Sequence, residues 1–108
     1  MAVVIWTNSA LLDLREIAEY IALDKVSAAN KLVQTILNKT DRLADFPESG
    51  RLLPELETDK YREIIVQPCR ILYYIDNDEV FITHVMRSER QLRRYMIHEA
   101  KASYETND

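Results

Sequence analysis

Two hydrophobic rhythms divide the chain. From Ala10 to Leu23, residues Leu11, Leu14, Ile17, Ala18 and Ile21 recur at helical spacing, with Asp13, Arg15, Glu16 and Glu19 largely on the other faces. Thr7-Asn8-Ser9, just before, supplies side-chain acceptors for the N–H groups of a first helix turn. A second stripe of Ala28, Ala29, Leu32, Val33, Ile36, Leu37 and Leu43 predicts a second helix, capped by Asp24 or Ser27. It must stop near Phe46, because Pro47 disfavours helix in the residue before it. Two amphipathic helices joined by a short turn make a hairpin, and each needs another surface to cover its stripe.

Outside the hairpin the pattern is that of strands. Ala2 to Trp6 is short, apolar and β-branched. Tyr61 to Val66, Cys69 to Ile75 and Glu79 to Met86 are rich in Ile, Val, Tyr and Phe, with breaks at Gln67-Pro68 and Asp76-Asn77-Asp78. Asn-Asp turns tolerate the positive φ of a tight hairpin. The three strands therefore predict an antiparallel meander, with the N-terminal strand added at an edge. Pro47 to Asp59 reads as irregular, Gln91 to Ala102 as a short C-terminal helix, and 103–108 as a frayed tail. The fold class expected is α+β, in one domain spanning 1–108.

Composition narrows the function. At 108 residues the chain suits one core. No apolar run approaches the roughly 20 residues of a membrane-spanning helix, and Met1 to Trp6 lacks a basic leader, so a cytoplasmic location without membrane contact is expected. The lone Cys69 has no intrachain disulfide partner, and it reads as a small strand residue rather than a nucleophile. His84 and His98 lie far apart with no cysteine at ligand spacing, so no metal is expected. His84 reads as a hydrogen-bonded strand residue. A single glycine, Gly50, argues against a phosphate-cradling loop and its nucleotide cofactors, and no cofactor is expected. The net charge is −4, yet it is uneven: residues 1–59 carry −4, residues 60–101 carry +2, and the last seven carry −2. Any anion-binding surface is thus expected on the sheet side, where Arg62, Arg70, Arg87 and Arg90 cluster in sequence; the plain alternative is solvated charges paired with Glu63, Glu79 and Glu89.

Several segments together resemble the RelE/ParE family of bacterial type II toxin–antitoxin toxins. They are WTNSALLDLREIAEYI from Trp6 to Ile21, Ala28-Ala29, Leu43-Ala44-Asp45-Phe46-Pro47-Glu48-Ser49-Gly50-Arg51, Pro54-Glu55-Leu56, Tyr61-Arg62-Glu63-Ile64-Ile65-Val66 and Arg70-Ile71-Leu72-Tyr73-Tyr74. Phe-Pro-x-x-Gly-Arg followed by Tyr-Arg-Glu makes the ParE-like branch the better match. The resemblance implies a helical hairpin on a small antiparallel sheet and a growth-inhibiting activity. It also implies a cognate antitoxin that folds on the toxin surface, with operator DNA left to the antitoxin, so no direct DNA binding by this chain is expected. ParE-like members act on DNA gyrase; RelE-like members cleave mRNA on the ribosome.

The residues weigh that choice. Nuclease-like relatives carry a pattern such as V-x-H-x-R-R after the last strand, whereas this chain reads Val85-Met86-Arg87-Ser88-Glu89-Arg90. An arginine keeps its proton and is a poor general base. Cys69 stands where a Tyr is common before the strand's arginine. These departures favour gyrase inhibition without bond-breaking chemistry. The target-contact candidates are Arg87, Arg90, Arg93 and Arg94, then Arg62 and Arg70, gathered on one rim of the sheet. In the ribonuclease alternative Glu89 serves as base and Arg62, Arg70, Arg87 and Arg90 hold phosphates. A third reading is an inactive relative that still binds antitoxin.

Overall fold

The structure is a computed structural model, and it describes residues 1–53 and 60–88. Strand β1 (Val3–Trp6) leads into helices α1 (Asn8–Ala22) and α2 (Val26–Asp41), and a 3₁₀ turn at Arg42–Ala44 closes the helical part. Strands β2 (Arg51–Leu52), β3 (Tyr61–Val66), β4 (Cys69–Asp76) and β5 (Glu79–Arg87) follow. The sheet runs β1-β5-β4-β3-β2. The meander β3-β4-β5 is antiparallel as expected, and β1 sits at an edge, parallel to β5. The predicted helix at Gln91 to Ala102 lies outside the described residues.

Thr7 explains where α1 begins. Its Oγ1 accepts from the Ala10 N–H at 3.2 Å and donates to the Ile82 carbonyl at 2.9 Å, so the helix cap is also tied to the sheet. Strand β1 ends opposite Ile82, which leaves the edge of β5 open beyond it. Helix α1 covers that edge: an Asp13 carboxylate oxygen accepts from the Val85 N–H at 3.1 Å. The first turn of α2 differs from expectation. Lys25 is its N-cap and no side chain caps it; neither Asp24 nor Ser27 does so. The α-helix ends at Asp41 and the chain tightens into the 3₁₀ turn before Phe46.

One sheet face carries the main core. Leu14, Leu32, Ile36 and Leu43 from the helical part meet Val66, Cys69, Ile71, Tyr73, Val80, Ile82 and Val85, with Trp6 half-buried beside them. The other face holds a second cluster of Leu53, Tyr61, Leu72, Tyr74, Phe81 and Met86. Tyr74 stacks on Phe81 at 5.2 Å and meets Tyr61 edge-on at 5.4 Å. Alternation along β4 therefore places Tyr73 and Tyr74 in different clusters, and both are buried. Asn77 takes φ 55° in the β4–β5 turn, as its sequence predicted. Thr83 is the extra residue of a bulge, since Leu72 pairs with His84 and Tyr73 with Ile82.

The segment expected to be irregular after Pro47 contains β2, whose Arg51 and Leu52 pair with Glu63 and Arg62. Gly50 precedes it for a steric reason. A Cβ there would stand 2.5 Å from the Tyr73 hydroxyl oxygen and 2.7 Å from the Glu63 carbonyl. That Tyr73 hydroxyl donates to the Pro47 carbonyl at 2.7 Å and accepts from the Gly50 N–H at 2.8 Å. The Phe46-Pro47-Glu48-Ser49-Gly50-Arg51 motif is thus a loop pinned to the core by one phenol.

Candidate functional site

Three of the predicted arginines lie among the described residues, and strand register separates them. Arg62 pairs across from Tyr73, so it shares the helix-covered face. Arg70 pairs with Ile65 and Met86 on the opposite face. Arg87 pairs with Cys69, returning to the helix-covered face but at the far end, about 13 Å along the strand direction from Arg62. A shared rim of guanidinium groups, as expected from sequence proximity, is therefore not built by Arg62, Arg70 and Arg87. Alternation and hairpin geometry divide what the linear sequence groups. Glu89, Arg90, Arg93, Arg94 and His98 lie outside the described residues.

Each arginine has a distinct setting. The Arg62 guanidinium donates to the carbonyls of Gly50 at 2.8 Å and Glu48 at 3.2 Å, bracing the Gly50 loop. Arg70 is 7% exposed and donates through Nε to Glu63 at 2.6 Å. Glu63, itself buried, accepts from Arg51 Nε on its other oxygen at 2.6 Å. Arg51 entered the sequence analysis only as the end of the Phe-Pro-x-x-Gly-Arg motif and not as a candidate site residue. Arg87 is exposed, and its guanidinium sits 5.5 Å from the Tyr20 ring centre, a cation–π distance. The two line a cleft of about 420 Å³ with Ile17, Ile21, Asp24 and Pro68.

Two buried phenols have shifted ionisation. Burial pushes the Tyr73 hydroxyl above its ordinary value, while the Gly50 N–H bond and the Arg62 charge pull the other way. Burial raises Tyr61 to about 12, with Tyr74 adding to the shift. His84 is buried, with Nδ1 3.1 Å from Thr83 Oγ1, and Cys69 is fully buried. Among the described residues no group of three His, Cys, Asp or Glu side chains could hold a metal ion.

The comparisons with known proteins agree with this architecture. The family described as the ParE toxin of type II toxin–antitoxin system, parDE, matches residues 4–92. This chain belongs to the ParE toxin family. Toxin RelE2 of Caulobacter vibrioides is 35% identical over 91 residues, covering 83% of this chain and 99% of the relative. Among solved structures, a chain of the chromosomal ParDE system from P. aeruginosa superposes with a TM-score of 0.69 at 26% identity, covering 82% of this chain and 98% of the other. The protein is thus a ParE/RelE-type toxin of the type II class, and the family implies a cognate antitoxin as its partner. The α+β fold expected from sequence holds, with the sheet mixed rather than wholly antiparallel because β1 runs parallel to β5. No described helix of this ParE-family toxin is long and apolar enough to cross a membrane.

Proposed function

We propose that this toxin acts in the cytoplasm by binding DNA gyrase and disturbing its DNA cycle, without cutting a substrate itself. The carrying observation is the end of β5. Where a nuclease-like relative would present an imidazole, Arg87 presents a permanently charged guanidinium over Tyr20. Metal-free RNA cleavage needs a base for the ribose hydroxyl, and an arginine cannot serve. The buried positions of His84 and Cys69 add support, since neither offers a solvent-facing acid or base. Arg87 leads the contact surface, with Arg90, Arg93 and Arg94 following in sequence; Arg62 and Arg70 rank below them because both serve the loop and core.

Purified toxin in a gyrase supercoiling assay, run beside a translation extract, tests the proposal. Inhibited supercoiling with intact translation supports it, and cells should then show DNA breaks, an SOS response and filaments. Blocked translation with cleaved transcripts would instead establish the second reading, a RelE-like ribosome-dependent endoribonuclease, which the 35% identity to Toxin RelE2 favours. Induced expression that leaves growth unchanged would point to an inactive antitoxin-binding relative. Arg87→Ala with Arg90→Ala should relieve toxicity while the melting temperature holds.

A further inference from the structure

A second cleft, of about 400 Å³, opens where the end of α2 and the 3₁₀ turn meet β3. Lys39, Arg42 and Arg51 line it, against the single carboxylate of Glu63, leaving a lining charge of +2. That concentration stands out in a chain of net charge −4. Glu63 does not quench the cleft, because it is buried and shared between Arg51 and the buried Arg70. Among the described residues Arg51 is anchored through Nε alone, and its side chain stays 64% exposed, so the guanidinium remains open to solvent. Lys39 and Arg42 are exposed and make no ion pair among the described residues.

The rest of the lining is Phe46, Ser49, Gly50 and the β3 residues Ile64, Ile65 and Val66. Phe46 is 61% exposed, although the loop behind it is pinned by Tyr73 through Pro47 and Gly50. Ile65, 45% exposed, also borders the cleft, from the sheet face that Arg70 shares. Cations along a groove with an exposed ring at its wall are the two components that grip unpaired nucleotides: charge for the phosphates and a flat face for the bases.

We propose that the Lys39–Arg42–Arg51 cleft binds single-stranded nucleic acid, with Phe46 as a stacking platform. The site is separate from the Arg87 surface and stands apart from the gyrase reading. It runs against the expectation, drawn from the family resemblance, that this chain binds no DNA by itself, and the assay decides between them. RNA and DNA share the phosphodiester chemistry, and the assay separates them.

The test is fluorescence anisotropy of the full-length toxin with a labelled 12-nucleotide RNA, the matching single-stranded DNA, and a labelled glutamate-rich peptide, each across a salt series. Single-strand binding loses about 0.7 in the log–log salt slope per phosphate contact, so three cations give a slope near −2 and about a 20-fold weakening from 50 to 200 mM salt. Lys39→Ala with Arg42→Ala should bring the slope to about −0.7 and that weakening to about 3-fold. Phe46→Ala should weaken binding about tenfold while leaving the slope unchanged. All three side chains are exposed, so circular dichroism melts of the variants should overlay the parent. Tighter binding of RNA or of DNA names the source. No binding at low salt, a slope indifferent to Lys39 and Arg42, or an acidic peptide bound as tightly as the oligonucleotides would overturn the proposal; the last would assign the cleft to a protein segment.

Discussion

Replacing Tyr73 by Phe tests the claim that one phenol pins the Gly50 loop. The ring stays, so packing of the fully buried residue is conserved. Two hydrogen bonds go: the donation to the Pro47 carbonyl at 2.7 Å and the acceptance from the Gly50 N–H at 2.8 Å. Each typical bond is worth about 0.5–1.5 kcal/mol net, and a buried group left unmade costs more, about 1–3 kcal/mol. Gly50 is buried, so its N–H falls at the upper end; Pro47 is half-buried, and its carbonyl can recover part of its loss from water. The expected total is about 2–3 kcal/mol. With an unfolding entropy of about 2.1 cal/mol/K per residue, this lowers the melting temperature by roughly 9–13 °C. Thermal and urea denaturation followed by circular dichroism read both quantities, and the urea m-value should not change. A drop under about 2 °C would refute the pinning argument, because it would mean that both polar groups find equal partners without the phenol.

Further outcomes follow from the same contacts. Gly50→Ala forces a methyl into the Tyr73 hydroxyl and the Glu63 carbonyl, and overpacking of this kind costs about 1–3 kcal/mol in the same melts. Glu63→Ala removes the carboxylate that Arg51 and Arg70 share, costing about 3–5 kcal/mol; Glu63→Leu combined with Arg70→Leu should recover most of it, read by urea midpoints. Thr7→Val, which removes both the cap of α1 and the bond to the Ile82 carbonyl, should cost about 1–2 kcal/mol. At high pH, Tyr61 ionises at about 12 in the folded state and near 10 when unfolded, so the unfolded chain releases its proton first. Stability should hold up to about pH 10 and then fall by at most about 1.4 kcal/mol per pH unit from this group until about pH 12, and Tyr61→Phe should flatten that fall in denaturation series at pH 9 and 11.

Local chemistry was legible in the chain. Period-2 and period-3.6 patterns placed every described helix and all strands but β2 to within a few residues, because side-chain burial follows backbone period. Asn77 announced its turn and Thr7 lay in the predicted cap cluster, each through chemistry confined to a few neighbouring residues. Strand β2 escaped notice because two residues carry no period, and its pairing with β3 is visible only once the chain has turned back. The same limit explains the arginines. Arg62, Arg70 and Arg87 are neighbours in a string of charged positions, but which face each takes depends on hairpin register, and register depends on partners many residues away. The sequence alone determined the described elements other than β2 and the family they resemble. Only tertiary structure decided that Glu63 would be buried between Arg70 and Arg51, that Tyr73 would hold the Gly50 loop, and that Lys39, Arg42 and Arg51 would line one cleft, since each joins groups that folding, not chain proximity, brings together.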